Sequence, residues 1–380
     1  MLPFDFQPRT RVVFGQGSLA RLGHLARELK FQRALLVADT GLVEAGHAAE
    51  AQRLLERAGI AVSAFHEFGE NPDSAMVESG RAFAAAFEPD AVVGLGGGSS
   101  LDCAKGINFL LTNGGAMADY RGYGKAGTPL LPMILVPTTA GTGSEAQSYA
   151  VISDAATHMK MACGDPSAAA RIALLDPELT ATAPRHVTAM AGVDAIAHAV
   201  ETSVSTRRSP MSDVFAHKAW HLLNTAFERV LRHATDLEAR SAMQLGAHFA
   251  GMAIEQSMLG AAHACANPLT ARYNLAHGLA LAILLPHVVR WNADAARDRY
   301  QAMLGAPRRR LRDEDAAETV ARRLEDLVSV AGLSVRLADA GVAADALPEL
   351  ARLAAQQWTG TFNPRPFDAA GALEIYRAAL

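Results

Sequence analysis

Ala91-Val92-Val93-Gly94-Leu95-Gly96-Gly97-Gly98-Ser99-Ser100-Leu101-Asp102 reads as a strand, a glycine turn and the start of a helix. The glycines let backbone N–H groups approach a phosphate without side-chain obstruction. Ser99 or Ser100 is expected to cap the helix, whose positive end favours an anion. The stretch is neither the usual GxGxxG, whose third glycine falls on Ser99, nor a GxxxxGK[ST] loop. On its own it is equally a tight strand-to-helix connection.

Working outward, the first half alternates apolar runs with helical stretches. Arg11–Phe14, Arg33–Ala38, Ile60–Phe65 and Met133–Val136 read as further strands, with helices such as Ala49–Ala58 and Ser74–Ala85 between them. Continuous apolar strands separated by helices imply a parallel sheet covered on both faces. Beyond about residue 184 the pattern turns helical: Thr188–Ser203, Pro210–Arg232, Leu237–Ser257 and Ala317–Ala331, with no convincing strand. The expected fold is therefore a Rossmann-like α/β domain over residues 1–184 and an all-helical domain over 185–380.

Asp39 closes the second apolar run, just before Thr40-Gly41. An acid there can accept hydrogen bonds from ribose hydroxyls and repel a 2′-phosphate, favouring NAD(H) over NADP(H). The alternative is an ordinary turn aspartate. Pro137–Glu145, dense in hydroxyls and glycines, can line a nucleotide or simply turn the chain.

The 380 residues hold 13 histidines, and these ask for a chemical explanation. Asp194 and His198 are four apart and share a helix face among small apolar neighbours. Such a pair is costly to bury alone and needs each other, water or a metal. His263 and His277 lie in similarly small surroundings. Three imidazoles and a carboxylate suit Fe²⁺ or Zn²⁺ alike. His217 and His221 form an HxxxH pair that reads as an exposed helix face. His24, His47, His66, His158 and His233 read as surface, and His186, His248 and His287 as core or cap.

The remaining composition excludes partners. A formal charge of −4 disfavours nucleic acid and anionic membranes. The one basic run, Arg308-Arg309-Arg310 with Arg312, reads as a solvated loop or helix end. Three scattered cysteines, Cys103, Cys163 and Cys265, form no CxxC pair and no disulfide framework. The start of the chain has no signal-peptide pattern, and the longest apolar runs fall short of the ~20 residues of a membrane span. A cytoplasmic location is expected.

The motifs together resemble the iron-dependent (group III) alcohol dehydrogenases, whose fold is related to those of glycerol dehydrogenase and dehydroquinate synthase. Gly96–Lys105 resembles the family's GGGSxxDxxK loop, and Pro137–Glu145 its PTTxGTGSE loop. Gly192–Glu201 and His263–His277 resemble its two metal segments, and Trp358–Arg365 its C-terminal pocket segment. The resemblance covers nearly the whole chain. It implies nicotinamide-linked interconversion of an alcohol and a carbonyl, with one divalent metal, Fe²⁺ or Zn²⁺, on Asp194, His198, His263 and His277.

It also implies a cofactor in the cleft between domains. Gly97, Gly98 and Ser99 would hold the pyrophosphate, and Thr138, Thr139 and Thr142 would line the adenine, ribose and nicotinamide side. Asp39 and Lys160 would contact the adenosine and nicotinamide riboses, with Asp102 in the same cofactor set. Asn71, Val151, Ile254, Asn267 and Phe362 are the substrate-pocket candidates, and a homodimer is expected. One departure matters. Asn267 stands where many members carry a second histidine, so the proton is expected to leave through water or ribose hydroxyls. The rival readings are a maleylacetate-reductase-like enzyme, a dehydroquinate-synthase-like lyase and an idle nucleotide- or metal-binding protein.

Overall fold

The computed structural model describes residues 4–305 and 316–380. The basic run at 308–312 therefore lies outside the described residues. The chain divides into two compact units, Gln7–Ala183 and Pro184–Leu380, the latter joined by the N-terminal stretch ending at Phe6.

The first unit holds β1 (Arg11–Phe14), α1 (Leu22–Glu28), β2 (Arg33–Val37), α2 (Thr40–Glu44), α3 (His47–Arg57), β3 (Ala61–Phe65), α4 (Ser74–Ala85), β4 (Ala91–Gly96) and α5 (Gly98–Asn113). It continues with β5 (Gly122–Tyr123), β6 (Met133–Pro137), β7 (Tyr149–Ser153), β8 (Lys160–Gly164) and β9 (Ile172–Leu175). Six strands form one parallel sheet in the order β1-β9-β6-β4-β2-β3.

Successive strand residues point to opposite faces. Leu35, Val37, Val92, Met133 and Leu135 enter one apolar core, while Ala34, Leu36, Val93, Leu95, Ile134 and Val136 enter another. Both faces are buried, which is why these strands read as unbroken apolar runs. Edge strand β1 is different: Val13 is buried, but Val12 and Phe14 are 39% and 42% exposed.

Two features escaped the sequence reading. β9 inserts between β1 and β6. A second sheet, β5-β8-β7, pairs β7 antiparallel to β8 and carries Val151 and Lys160.

The second unit holds α6 (Arg185–Val204), α7 (Pro210–Arg232), α8 (Leu237–Gln256), α9 (Ala261–Tyr273), α10 (His277–Trp291), α11 (Ala293–Met303), α12 (Ala316–Ala331), α13 (Leu347–Ala354) and α14 (Ala369–Ala379). No strand occurs among its described residues. Ser209 caps α7, with Pro210 at the first helical position, and Asp236 caps α8. The cysteines are buried and free. Among the described residues no helix is long and apolar enough to cross a membrane.

Candidate metal centre and nucleotide loops

In a parallel sheet all strands end on one side. β6, β4, β2 and β3 are consecutive neighbours, so the loops that leave them lie side by side, where such folds bind ligands. The loops are tied together. Ser100 Oγ donates to Asp39 Oδ2 at 2.8 Å. The Asn71 N–H donates to Ser99 Oγ at 3.2 Å, and the Thr138 N–H to the Gly96 carbonyl at 2.9 Å.

Gly96 has φ +143°, and a Cβ there would stand 2.3 Å from Ser100 Oγ. Only glycine fits. A Cβ on Gly98 would stand 2.4 Å from the Thr142 methyl, and one on Gly97 3.4 Å from Thr139. The glycine turn and the threonine loop are thus in contact.

Gly97 is the N-cap of α5 and supplies no side chain. Ser99 and Ser100 sit inside the first turn and do not cap it, which corrects the expectation. Their hydroxyls are turned to Asn71 and Asp39. The N-terminal N–H groups of α5 therefore keep the capacity to meet an anion.

Asp39 is an N-cap. Its Oδ1 accepts from the Leu42 N–H at 3.1 Å. Asp102 accepts from Ser144 Oγ at 2.7 Å, and burial pushes its carboxyl up against the pull of Lys105 and Ser144. Lys105 was not expected to matter beyond its motif. Its buried Nζ donates to the carbonyls of Ser144, Gln147 and Tyr149 at 2.7, 2.8 and 2.8 Å, pinning the loop after β6.

In the helical unit, Asp194 and His198 project from one face of α6, as their spacing dictates. Asp194 Oδ1 lies 3.2 Å from His198 Nε2, 3.4 Å from His263 Nε2 and 3.8 Å from His277 Nε2. The ligand atoms of Asp194, His263 and His277 all lie within 4.8 Å of one another. The His198 ring stacks on His263 at 4.9 Å between centroids.

Asp194, His198 and His263 are 6%, 5% and 4% exposed. Asp194 Oδ1 and His263 Nε2 find no hydrogen-bond partner. Burial favours the neutral form of Asp194, yet His198, His263 and His277 outweigh it and hold the carboxyl far below its ordinary range. Burial likewise opposes charge on His263, but Glu201 and Asp194 more than offset it and bring its pKa up to about 9. The pocket calls for positive charge between these groups, and orphaned oxygen and nitrogen donors converge on it. That fits a divalent cation.

The motif Gly192–Glu201 by itself implies no role for Glu201. It is 3% exposed and bonds His263 Nδ1 through Oε2. The other histidines stand apart. His217 is half-buried, with its pKa lowered by burial, so the exposed-face reading of that helix position was wrong. His66 is half-buried and its Nδ1 meets the Ala38 carbonyl at 2.7 Å. His186 is exposed in the first turn of α6.

Of the pocket candidates, Asn71 has φ +51° beside Ser99, and Val151 is exposed on β7. Ile254 is buried on α8. Asn267 Nδ2 donates to Gln357 Oε1 at 3.1 Å, and the Phe362 ring meets Trp358 edge-on at 5.7 Å.

Comparison with known proteins accounts for both units. The iron-containing alcohol dehydrogenase family model matches residues 8–177, and the family's C-terminal model matches 188–380. Alcohol dehydrogenase 4 of Schizosaccharomyces pombe is 36% identical over 93% of this chain and 83% of its own length. The NAD-dependent methanol dehydrogenase of Bacillus methanolicus is 32% identical over 97% of each chain. The crystal structure of a 1,3-propanediol oxidoreductase superposes with a TM-score of 0.95 at 31% identity, covering 100% of both chains. The chain belongs to the iron-containing alcohol dehydrogenase family, and it is a metal-dependent, nicotinamide-linked alcohol/aldehyde oxidoreductase.

Proposed function

We propose that this family member interconverts a small primary alcohol or diol and its carbonyl, using NAD(H) and a divalent metal held by Asp194, His198, His263 and His277. The observation that carries the ligand set is the buried Asp194 Oδ1, without a hydrogen-bond partner and faced by three imidazole nitrogens at 3.2, 3.4 and 3.8 Å. One carboxylate and three nitrogens, with no thiolate, suit Fe²⁺ or Zn²⁺. The metal would supply Lewis-acid polarisation of the substrate oxygen, which favours hydride exchange with nicotinamide.

The chain's own residues do the rest. Gly97, Gly98 and Ser99 offer backbone N–H groups to a pyrophosphate at the start of α5. Thr138, Thr139 and Thr142 line the same turn, with Asp102 and Lys160 on the nicotinamide side. Asp39 places a fixed negative charge where a 2′-phosphate would fall, so NAD(H) is preferred over NADP(H). Asn71, Val151, Ile254, Asn267 and Phe362 border the substrate. Asn267 cannot titrate near neutral pH, and its amide is engaged by Gln357. The proton therefore leaves through water or ribose hydroxyls. The enzyme works in the cytoplasm as a homodimer, for which the exposed apolar side chains of β1 speak.

The test is protein reconstituted with Fe²⁺ or Zn²⁺ and assayed by NADH oxidation against a panel of short aldehydes, hydroxyaldehydes and keto acids. Turnover of the short aldehydes, lost in Asp194→Ala together with bound metal, is expected. NADH binding without turnover of any carbonyl would sink the reading, and turnover of the keto acids alone would move it to an anionic substrate.

A further inference from the structure

α9 carries His263 in its first turn, yet it begins without a side-chain cap of its own, since its N-cap is Gly260. Two remote side chains take over. Asn363 Oδ1 accepts from the Ala261 N–H at 3.2 Å. Glu201 Oε1, on α6, accepts from the Ala262 N–H at 2.7 Å and from the His263 N–H at 3.4 Å. A Cβ on residue 260 would stand 3.0 Å from Asn363 Oδ1 and 3.2 Å from Glu201 Oε1, so the glycine clears the way for both.

The second oxygen of the same carboxylate, Oε2, bonds His263 Nδ1. An ionised carboxylate only accepts, so Nδ1 must carry a proton. Nε2, 3.4 Å from Asp194 Oδ1, is then the nitrogen left to give a lone pair when a cation takes the place of its proton.

We propose that Glu201 is a positioning residue that sets His263 twice over: it fixes the start of α9 that bears the imidazole, and it fixes which ring nitrogen faces the metal. The inference rests on reading Asp194, His198, His263 and His277 as the metal ligands. It separates from plain helix capping because the two roles use different oxygens. Glutamine keeps one acceptor and replaces the other with a donor. If its oxygen stays on the Ala262 N–H, its NH₂ meets Nδ1, which then has to accept. The imidazole proton moves to Nε2 and blocks the ligand lone pair. If the amide turns over, NH₂ faces N–H at the helix start. Alanine loses the cap but leaves the imidazole free to choose its tautomer.

The experiment is Co²⁺ titration of full-length wild type, Glu201→Gln, Glu201→Ala and Asp194→Ala, read by visible absorption, with thermal unfolding of the metal-free proteins alongside. Glu201→Gln is expected to weaken Co²⁺ binding by roughly 10–100-fold and to alter the d–d spectrum. Glu201→Ala should weaken it less, although its metal-free Tm falls further. A role confined to capping gives the reverse order, with Co²⁺ affinity following Tm, and that order overturns the inference. So does a Kd within about threefold of wild type in folded Glu201→Gln, given that carboxylate partners of ligand histidines ordinarily matter more than that. If Asp194→Ala binds Co²⁺ as wild type does, the ligand set itself falls, and the inference with it.

Discussion

Asp39 shows how much one side chain is asked to do. Its two oxygens are already engaged, one by the Leu42 N–H and one by the Ser100 hydroxyl. These bonds hold the negative charge still beside the glycine turn. Substituting glycine removes the charge and frees Ser100. Asp39→Gly should shift the ratio of kcat/KM for NADH over NADPH towards NADPH by at least about tenfold, equivalent to losing about 1.4 kcal/mol of discrimination. Paired steady-state assays on the same carbonyl decide it, and an unchanged ratio removes Asp39 from cofactor choice.

The residue scale is also where the sequence was most and least legible. Asp194 and His198 could be paired on paper because helical spacing is local. Glu201 could not be linked to His263, since no period connects a carboxylate on one helix with an imidazole 62 positions further along. Lys105 was hidden for the same reason: three of its acceptors are carbonyls of a distant loop.

Among elements, the close approach of α6 and α10 sets the position of His277. A Cβ on Gly278 would stand 2.3 Å from the Met190 carbonyl oxygen, which is backbone and cannot turn aside. Gly278→Ala should push the first turn of α10 away from α6. A loss of about 1–3 kcal/mol in stability is expected from such overpacking, with weaker metal binding because His277 is the neighbouring residue. Denaturant unfolding and a metal titration check the two effects separately.

The far end of α10 supplies a pH effect. Burial lowers the pKa of His287, Arg290 lowers it further, and Glu325 partly opposes them. The folded protein therefore resists a proton that the unfolded chain accepts near its ordinary pKa of about 6.5. Stability from this group is present above that pH and is lost as the pH falls below it. His287→Gln should shrink the fall in urea midpoint between about pH 7.5 and about pH 5.5. An identical fall in wild type and variant would remove His287 from the acid response.

Element existence was read well where hydrophobicity is continuous. β2, β4 and β6 are buried on both faces and stand out as apolar runs. β9 is equally buried, yet only four residues long, and was passed over between Arg171 and Asp176. β7 and β8 form the small second sheet, where exposure alternates and Lys160 opens a strand, so no apolar run marks them.

At the scale of the whole molecule, the two units carry different chemistry: the α/β unit offers the open helix start of α5, and the helical unit gathers Asp194, His198, His263 and His277. Edge strand β1 leaves Val12 and Phe14 exposed, and a sheet edge with apolar side chains invites another strand. Light scattering of wild type should give twice the 40.1 kDa chain mass, and Val12→Lys with Phe14→Lys should give the monomer with unchanged circular dichroism. A monomeric wild type would rule out the dimer.

The strand order carries a further consequence, in time rather than space. Arg11 pairs with Ile172, and β9 also pairs with β6. On a ribosome, β1 emerges first and its partner among the last of the sheet. At ordinary synthesis speeds of roughly 5–20 residues per second, the wait is on the order of ten seconds. Throughout it β1 has nowhere to dock, and for the last few seconds, between the synthesis of Pro137 and that of Ile172, β6 also keeps an unfilled apolar edge, the kind of unpaired strand edge that makes a partly folded chain prone to misassociation.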